Sequence, residues 1–294
     1  MGQSRLKEYK LLEPMKEKTE EKVCKQCGQR YQARTAIIFS TGFPLDGGMC
    51  LSCRTEARRQ EDEQEAAAKS LELAKTRHLW RHNCGIGMKF MAAEFGTFEQ
   101  KRQPRVFKAC LEYAEGFPLE KAGCGYPSMI LYSRTWGVGK THLVIAVAHH
   151  ILNRWKGIPG YCPVHITTEP DLFQRIQTTY NHSDREKETE EQIYSELARV
   201  PLLIIDDIGK TERRDPGFVQ STLFAIIDKR YRNMLPIVLT ANKTPDELCA
   251  YLGGARNNEA SYERLIEMAG GQFIELSGES YRKIRSKEGN GSVK

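Results

Sequence analysis

Ile130-Leu131-Tyr132-Ser133-Arg134-Thr135-Trp136-Gly137-Val138-Gly139-Lys140-Thr141 runs directly into His142-Leu143-Val144-Ile145-Ala146. An apolar run, a glycine-bearing turn and a helix-forming run follow in order. That strand–loop–helix order is what a phosphate-binding loop requires. Glycines let the backbone turn its N–H groups toward phosphate oxygens with no Cβ in the way. The first turn of the helix adds unpaired N–H donors and the positive end of its dipole. Gly137, Val138, Gly139, Lys140, Thr141 and His142 then form the cradle for the phosphates of ATP. Lys140 is placed to reach the β- and γ-phosphates, and Thr141 to offer its hydroxyl to Mg²⁺. Two residues depart from the usual loop: Arg134 stands at the opening position where Gly is expected, and Trp136 is bulky. Arg134 either adds charge near the phosphates or, with Trp136, narrows the loop.

Downstream, Leu202-Leu203-Ile204-Ile205-Asp206-Asp207 reads as a buried strand ending in two acids. A carboxylate at the C-terminal end of a parallel strand faces the crevice where ligands bind. Asp206 is the expected Mg²⁺ partner, and Asp207 the group that orients an attacking water. Leu235-Pro236-Ile237-Val238-Leu239-Thr240-Ala241-Asn242 is a further apolar strand. If it lies beside the phosphate-loop strand, Asn242 is placed to hydrogen-bond the γ-phosphate or the water.

From Cys84 onward, apolar runs alternate with amphipathic stretches, the pattern of an α/β domain with a parallel sheet. Strands are expected at 129–133, 164–167, 202–206, 237–240 and 272–276. Helices are expected at 140–155, 170–180, 190–199, 217–232, 245–251 and 260–269, with a charged loop at 181–191. The fold class is therefore α/β, a mostly parallel five-stranded sheet flanked by helices. Residues 54–82 lack Gly and Pro and are dense in helix formers, which predicts a helix. Its thin apolar stripe suits a linker rather than a core helix. The expected organisation is a module at 1–55, a helical linker at 56–83 and an ATPase domain at 84–294.

The chain has 294 residues, a formal net charge of +6 and nine cysteines. The mild basicity permits an acidic partner without requiring one. No apolar window is long enough for a membrane span, and the N-terminus is too polar for a secretory signal, so a cytoplasmic location is expected. Cys24-Lys25-Gln26-Cys27 and Cys50-Leu51-Ser52-Cys53 are two CxxC pairs. Two such knuckles suit tetrahedral Zn²⁺ held by four thiolates. A segment this short has too few apolar residues for a core, so a metal supplies the missing stability. Arg30, Arg34, Arg54, Arg58 and Arg59 fringe it, with Tyr31 and Phe39 as candidate stacking residues for single-stranded DNA. A solvated charged surface is an equal reading. His78 and His82, at i, i+4 spacing, are expected to be surface residues.

Taken together, the motifs resemble the DnaC/IstB-type AAA+ ATPases, which include replicative helicase loaders and transposase helper proteins. The resemblance spans about residues 85–285. It takes in Gly85-Ile86-Gly87-Met88-Lys89-Phe90, Thr97-Phe98, the three motifs above, Ile227-Asp228-Lys229-Arg230-Tyr231, Arg264-Leu265-Ile266-Glu267-Met268 and Ser280-Tyr281-Arg282. It implies Walker A at Lys140 and Thr141, Walker B at Asp206 and Asp207, and sensor 1 at Asn242. It implies an arginine finger at Arg264 acting on a neighbouring subunit's nucleotide, and a sensor 2 arginine at Arg282. Against these stand a solvated helix arginine for Arg264, and for Arg282 a basic tail shared with Lys283 and Arg285. Arg230 is read as structural. The implied function is ATP-dependent loading of a hexameric replicative helicase onto single-stranded DNA, with self-association through the ATPase domain. The alternatives are a transposase helper and a non-hydrolysing nucleotide-binding adaptor.

Overall fold

In the computed structural model, residues 16–38, 41–156, 161–180, 188–210, 215–253, 259–271 and 273–284 are described. Phe39, Gln272, Arg285 and positions 181–187 of the expected charged loop lie outside them. Met1–Glu72 and Leu73–Lys294 are separate compact units.

In the first unit β1 (Lys16–Val23), β2 (Arg30–Ile38) and β3 (Thr41–Pro44) form an antiparallel sheet in that order. Val23 pairs with Arg30, and Thr19 with Arg34. The β1 sequence, KEKTEEKV, has almost no apolar residue and is held by pairing and cross-strand charge rather than by a core. Arg34 forks onto Glu17 at 2.6 and 3.0 Å, and Arg30 lies 3.6 Å from Glu21. Part of the expected basic fringe is thus neutralised within the unit. The Tyr31 hydroxyl is also engaged, donating to Asp46 at 3.0 Å. α1 (Leu51–Asn83) starts three residues earlier than expected, placing Cys53 in its first turn. Ion pairs one turn apart support its exposed face, such as Glu65–Lys69 at 2.5 Å. From Leu73 onward α1 belongs to the second unit, and Trp80 is part of that unit's core.

In the second unit three short 3-10 turns precede α2 (Pro104–Gly116). Then come β4 (Met129–Tyr132), α3 (Lys140–Arg154), β5 (Val164–Thr168), α4 (Glu169–Thr179), α5 (Glu190–Arg199) and β6 (Leu202–Ile208). After them follow α6 (Pro216–Arg232), β7 (Ile237–Ala241), α7 (Pro245–Leu252), α8 (Ala260–Met268) and β8 (Phe273–Glu275). The five strands form one parallel sheet in the order β5-β6-β7-β4-β8. Both faces are covered, as the continuous apolar runs require. Leu131, Ile204 and Val238 pack with α2 and α3, whereas Ile130, Leu203, Ile205 and Leu239 pack with α4 to α8.

α2 was not among the expected helices. Proline in its first turn and the buried stripe Val106, Cys110, Tyr113 and Ala114 explain it. Arg230 is structural, as expected. Fully buried, its guanidinium donates to the carbonyls of Leu197 and Val200, which end α5, and of Pro201 and Pro236, which lead into β6 and β7. Burial brings its pKa down to about 9.

Candidate functional site

Because β4 lies between β7 and β8, with β6 beyond β7, the ends of β4, β6 and β7 meet at one crevice. The loop after β4 turns through Gly137 (φ 77°) and Gly139 (φ 106°), a left-handed conformation that disfavours other residues. A side chain on Gly137 would strike Ser280, and one on Gly139 would strike Phe98. Gly139 is the N-cap of α3, so Lys140, Thr141 and His142 form the first turn of that helix.

The side chains of the three motifs touch. Thr141 Oγ1 donates to Asp206 Oδ2 at 2.9 Å, and Lys140 Nζ donates to Asn242 Oδ1 at 2.7 Å. Asn242 Nδ2 reaches Asp207 Oδ1 at 3.3 Å. The register of β6 against β7 shifts between Ile205 and Ile208, and Asp207 takes φ 61° there. Such a bulge re-aims side chains, and here consecutive acids both serve the crevice. The Thr240 hydroxyl contacts Asp206 and accepts the Asp207 N–H at 2.8 Å.

Electrostatics follow from burial. Asp206 is almost fully buried, which raises its pKa, and the charge of Asp207 adds to the rise; bonds from Thr240 and Thr141 and the charge of Lys210 oppose it. Burial lowers the Lys140 pKa, opposed by the charges of Asp207 and Asp206. A buried lysine beside two acids is poised for a polyanion with its metal. The hard oxygens of Thr141 and Asp206 suit Mg²⁺.

A cleft of about 650 Å³ opens over this floor. Gly137, Gly139, Lys140, Thr141, His142, Asp207, Asn242 and Arg282 line it, while Val138 is buried in the core beneath. Arg282 is therefore placed at the phosphate loop, and the Tyr281 N–H fixes its segment by donating to the Gly137 carbonyl at 2.9 Å. Arg264 is not brought to the cleft. It packs on α6, 3.2 Å from Asp228, with its guanidinium over the rings of Phe224 and Tyr231. Arg134 turns away to Glu247 in the first turn of α7, at 3.2 Å. Trp136 lies at the rim, 60% exposed, so it does not plug the space.

Sequence reasoning did not assign four groups. Lys210 pairs with Asp207. Thr240 orders both acids. Phe98 and Tyr281 form an aromatic wall with ring centroids 6.1 Å apart, and Arg102 covers Tyr281 at 4.6 Å. Glu169 is buried behind the crevice. Phe98 and Tyr281 stood inside the resembling segments, but nothing in their local sequence marks them as cleft residues.

In the first unit the sulfurs of Cys24, Cys27, Cys50 and Cys53 lie within 4.8 Å of one another, a spacing and donor set that fit Zn²⁺. Gly28 (φ 72°) makes the turn after the first pair. Backbone N–H groups of Cys27 and Cys50 directed at Cys24 bring its thiol down to about 6, toward the thiolate that binds metal. Asp46 holds the second loop by accepting from the N–H groups of Arg34 and Gly48. On the part of α1 that belongs to the second unit, His78 and His82 lie with ring centroids 4.4 Å apart, their planes tilted by 50°.

This strand order, with a phosphate loop after the second strand from the edge and acids at the end of β6, is the AAA+ P-loop fold. Residues 128–289, over half of the chain, match the IstB-like ATP binding protein family. The replicative helicase loader DnaC of Escherichia coli K12 is 27% identical over 156 residues, covering 53% of this chain and 56% of that protein. A protein of insertion sequence IS5376 from Geobacillus stearothermophilus, named for ATP binding, is 31% identical over 153 residues, covering 52% and 55%. The crystal structure of the DnaC helicase loader superposes with a TM-score of 0.50 at 21% identity, covering 65% of this chain and all of that one. The matches span about half the length of these curated relatives. The chain belongs to the IstB-like ATP binding protein family, within the DnaC/IstB-type AAA+ ATPases. Among the described residues no helix is long and apolar enough to cross a membrane.

Proposed function

We propose that this protein is a cytoplasmic ATPase that loads a hexameric replicative helicase onto single-stranded DNA. The observation that carries the ATPase part is the hydrogen-bonded line from Lys140 through Asn242 to Asp207, beside the Thr141–Asp206 contact. Lys140 would hold the β- and γ-phosphates, and Asp207 and Asn242 would orient water for in-line attack on the γ-phosphorus. Thr141 and Asp206 would hold Mg²⁺, which supplies charge neutralisation on the phosphates. Arg282 would reach the same nucleotide in its own chain. Arg264, remote from its own cleft, would serve the nucleotide of a neighbouring copy, tying hydrolysis to self-association. The positions of Arg134 and Trp136 support an open loop rather than a disabled adaptor.

The loading part draws on the helicase loaders among the relatives and on the four-cysteine cluster. The module at 1–55, with Zn²⁺ held by Cys24, Cys27, Cys50 and Cys53 as a structural ion, would grip the helicase. The ATPase domain at 84–294, joined to it through the helix at 56–83, would engage single-stranded DNA. A transposase helper is the second reading, favoured by the family match and by the insertion-sequence relative. Mg-ATP turnover with and without single-stranded DNA, paired with affinity purification from the source cell, tests both. Recovery of a hexameric helicase together with Lys140-dependent turnover supports the loader. Recovery of a transposase in its place supports the helper, and no turnover rejects the ATPase.

A further inference from the structure

Lys210 sits three residues past Asp207, and its ammonium contacts Asp207 Oδ2. The other carboxylate oxygen of Asp207 is taken by Asn242, whose own oxygen is taken by Lys140. Lys140, Asn242, Asp207 and Lys210 therefore form one unbroken polar chain, and all four line the cleft. Each oxygen of Asp207 thus accepts one bond, which uses about half of the acceptor sites of the carboxylate and sets the Lys210 ammonium beside Oδ2.

The backbone under Lys210 is pinned. The fully buried Glu169 carboxylate accepts the N–H groups of Gly209 at 3.1 Å and Lys210 at 3.0 Å, and the Tyr251 hydroxyl at 2.8 Å. Gly209 adopts φ +92°, and a side chain there would collide with Lys243. A buried carboxylate satisfied by several donors is costly to displace. The Lys210 side chain, by contrast, is 37% exposed and ends near the rim, its ammonium 5.8 Å from the Trp136 ring. A fixed base and a solvent-reaching tip let the ammonium change partner without moving the loop.

Charge supplies the reason to change. Lys140 and Lys210 face the same space, and the charge of Lys210 is among the influences that disfavour protonated Lys140. An anion between the two ammoniums relieves that repulsion and outcompetes a single carboxylate. Lys140 is the lysine that reaches toward the γ-phosphate in a loop of this kind, so the anion shared by the two ammoniums would be the γ-phosphate, which a diphosphate lacks.

We propose that Lys210 is a second γ-phosphate-binding lysine, resting on Asp207 while the γ-position is empty and crossing to the γ-phosphate when a nucleoside triphosphate binds. The crossing frees Asp207 Oδ2 from the ammonium, so the water-orienting acid is a fuller acceptor when a triphosphate is bound. This rests on the ATP-binding reading of the cleft.

Equilibrium binding of Mg-bound β,γ-methylene ATP and of Mg-ADP to the full chain tests it, in wild type, Lys210→Met and Lys210→Arg. The expected result is a loss of about tenfold for the triphosphate analogue in Lys210→Met, the size of one charge-assisted hydrogen bond. ADP binding and the melting temperature stay unchanged, and Lys210→Arg recovers most of the loss. Equal weakening of both nucleotides in Lys210→Met, or no weakening of either, overturns the inference while leaving the ATP site intact. Wild type that binds neither nucleotide overturns the reading of the cleft itself, and this inference with it.

Discussion

Thr141 Oγ1 donates to Asp206 Oδ2 at 2.9 Å across 65 residues of sequence. The contact joins the start of α3 to β6 and holds a carboxylate that burial makes reluctant to ionise. A raised folded-state pKa means the native protein binds that proton more tightly than the unfolded chain. Its effect on stability is absent below the ordinary carboxyl value of 3.8. It grows as pH rises through the window between that value and the raised one, and above it the penalty is complete. Asp206→Asn therefore raises the melting temperature of the nucleotide-free protein at pH 7. The gain shrinks toward the acid end of the window, and Mg-ATP turnover is lost. Thermal melts across pH check this; an equal gain at every pH would contradict it.

Lys140→Ala removes the ammonium at the floor of the cleft. Nucleotide affinity falls by about tenfold or more, as expected for lost charge-assisted bonds, and turnover falls to background. Fluorescent-nucleotide titration and phosphate release measure the two separately. Turnover equal to wild type would place the chemistry elsewhere.

How far these features were legible depended on whether their cause was local. The five parallel strands were, because buried runs such as Leu202-Leu203-Ile204-Ile205 are unambiguous where both faces are covered. The helices after Pro170 and Pro245 were, because proline in the first turn and the threonine before it mark a start. β1 was not: a strand of charged residues carries no alternation, and its pairing with β2 supplies what its side chains lack. The phosphate loop and both acids announced themselves by motif. Thr240 and Glu169 did not, because each acquires its partners only when distant segments come together, and Lys210, though three residues from Asp207, carries no motif that marks it. The sequence left Arg134 with two readings, and its choice rests on Glu247, 113 residues away.

Four sulfurs within 4.8 Å predict one zinc ion per chain. Cys24→Ser lowers metal content below one and destabilises the first unit, where antiparallel strands of charged residues have little else to hold them. Elemental analysis of the purified full chain gives the stoichiometry. Zinc content unchanged by the substitution would remove Cys24 from the ligand set.

Arg230 satisfies four backbone carbonyls from one buried side chain. Arg230→Met keeps the volume roughly similar but leaves those carbonyls without donors. The expected destabilisation is about 3 kcal/mol or more, read by urea denaturation. An effect under about 1 kcal/mol, the ordinary scale of a single mutation, would mean that water replaces the guanidinium.

Arg264 faces α6 rather than its own nucleotide cleft, so its two roles separate by concentration. If it acts on a neighbouring copy, the specific ATPase activity of wild type rises with protein concentration as subunits meet. Arg264→Ala then binds ATP as wild type does but shows a low, flat specific activity, a loss of about 10³-fold or more at saturation. Its packing on Phe224 and Tyr231 also contributes to folding, so the melting temperature falls modestly. Mixing resolves the two effects. Lys140→Ala retains Arg264 but has no working nucleotide site, and Arg264→Ala retains the nucleotide site. An equimolar mixture recovers activity that neither protein shows alone, because the first lends its arginine to the second. A mixture no more active than its parts would assign Arg264 to the fold and leave the role of γ-phosphate arginine to Arg282.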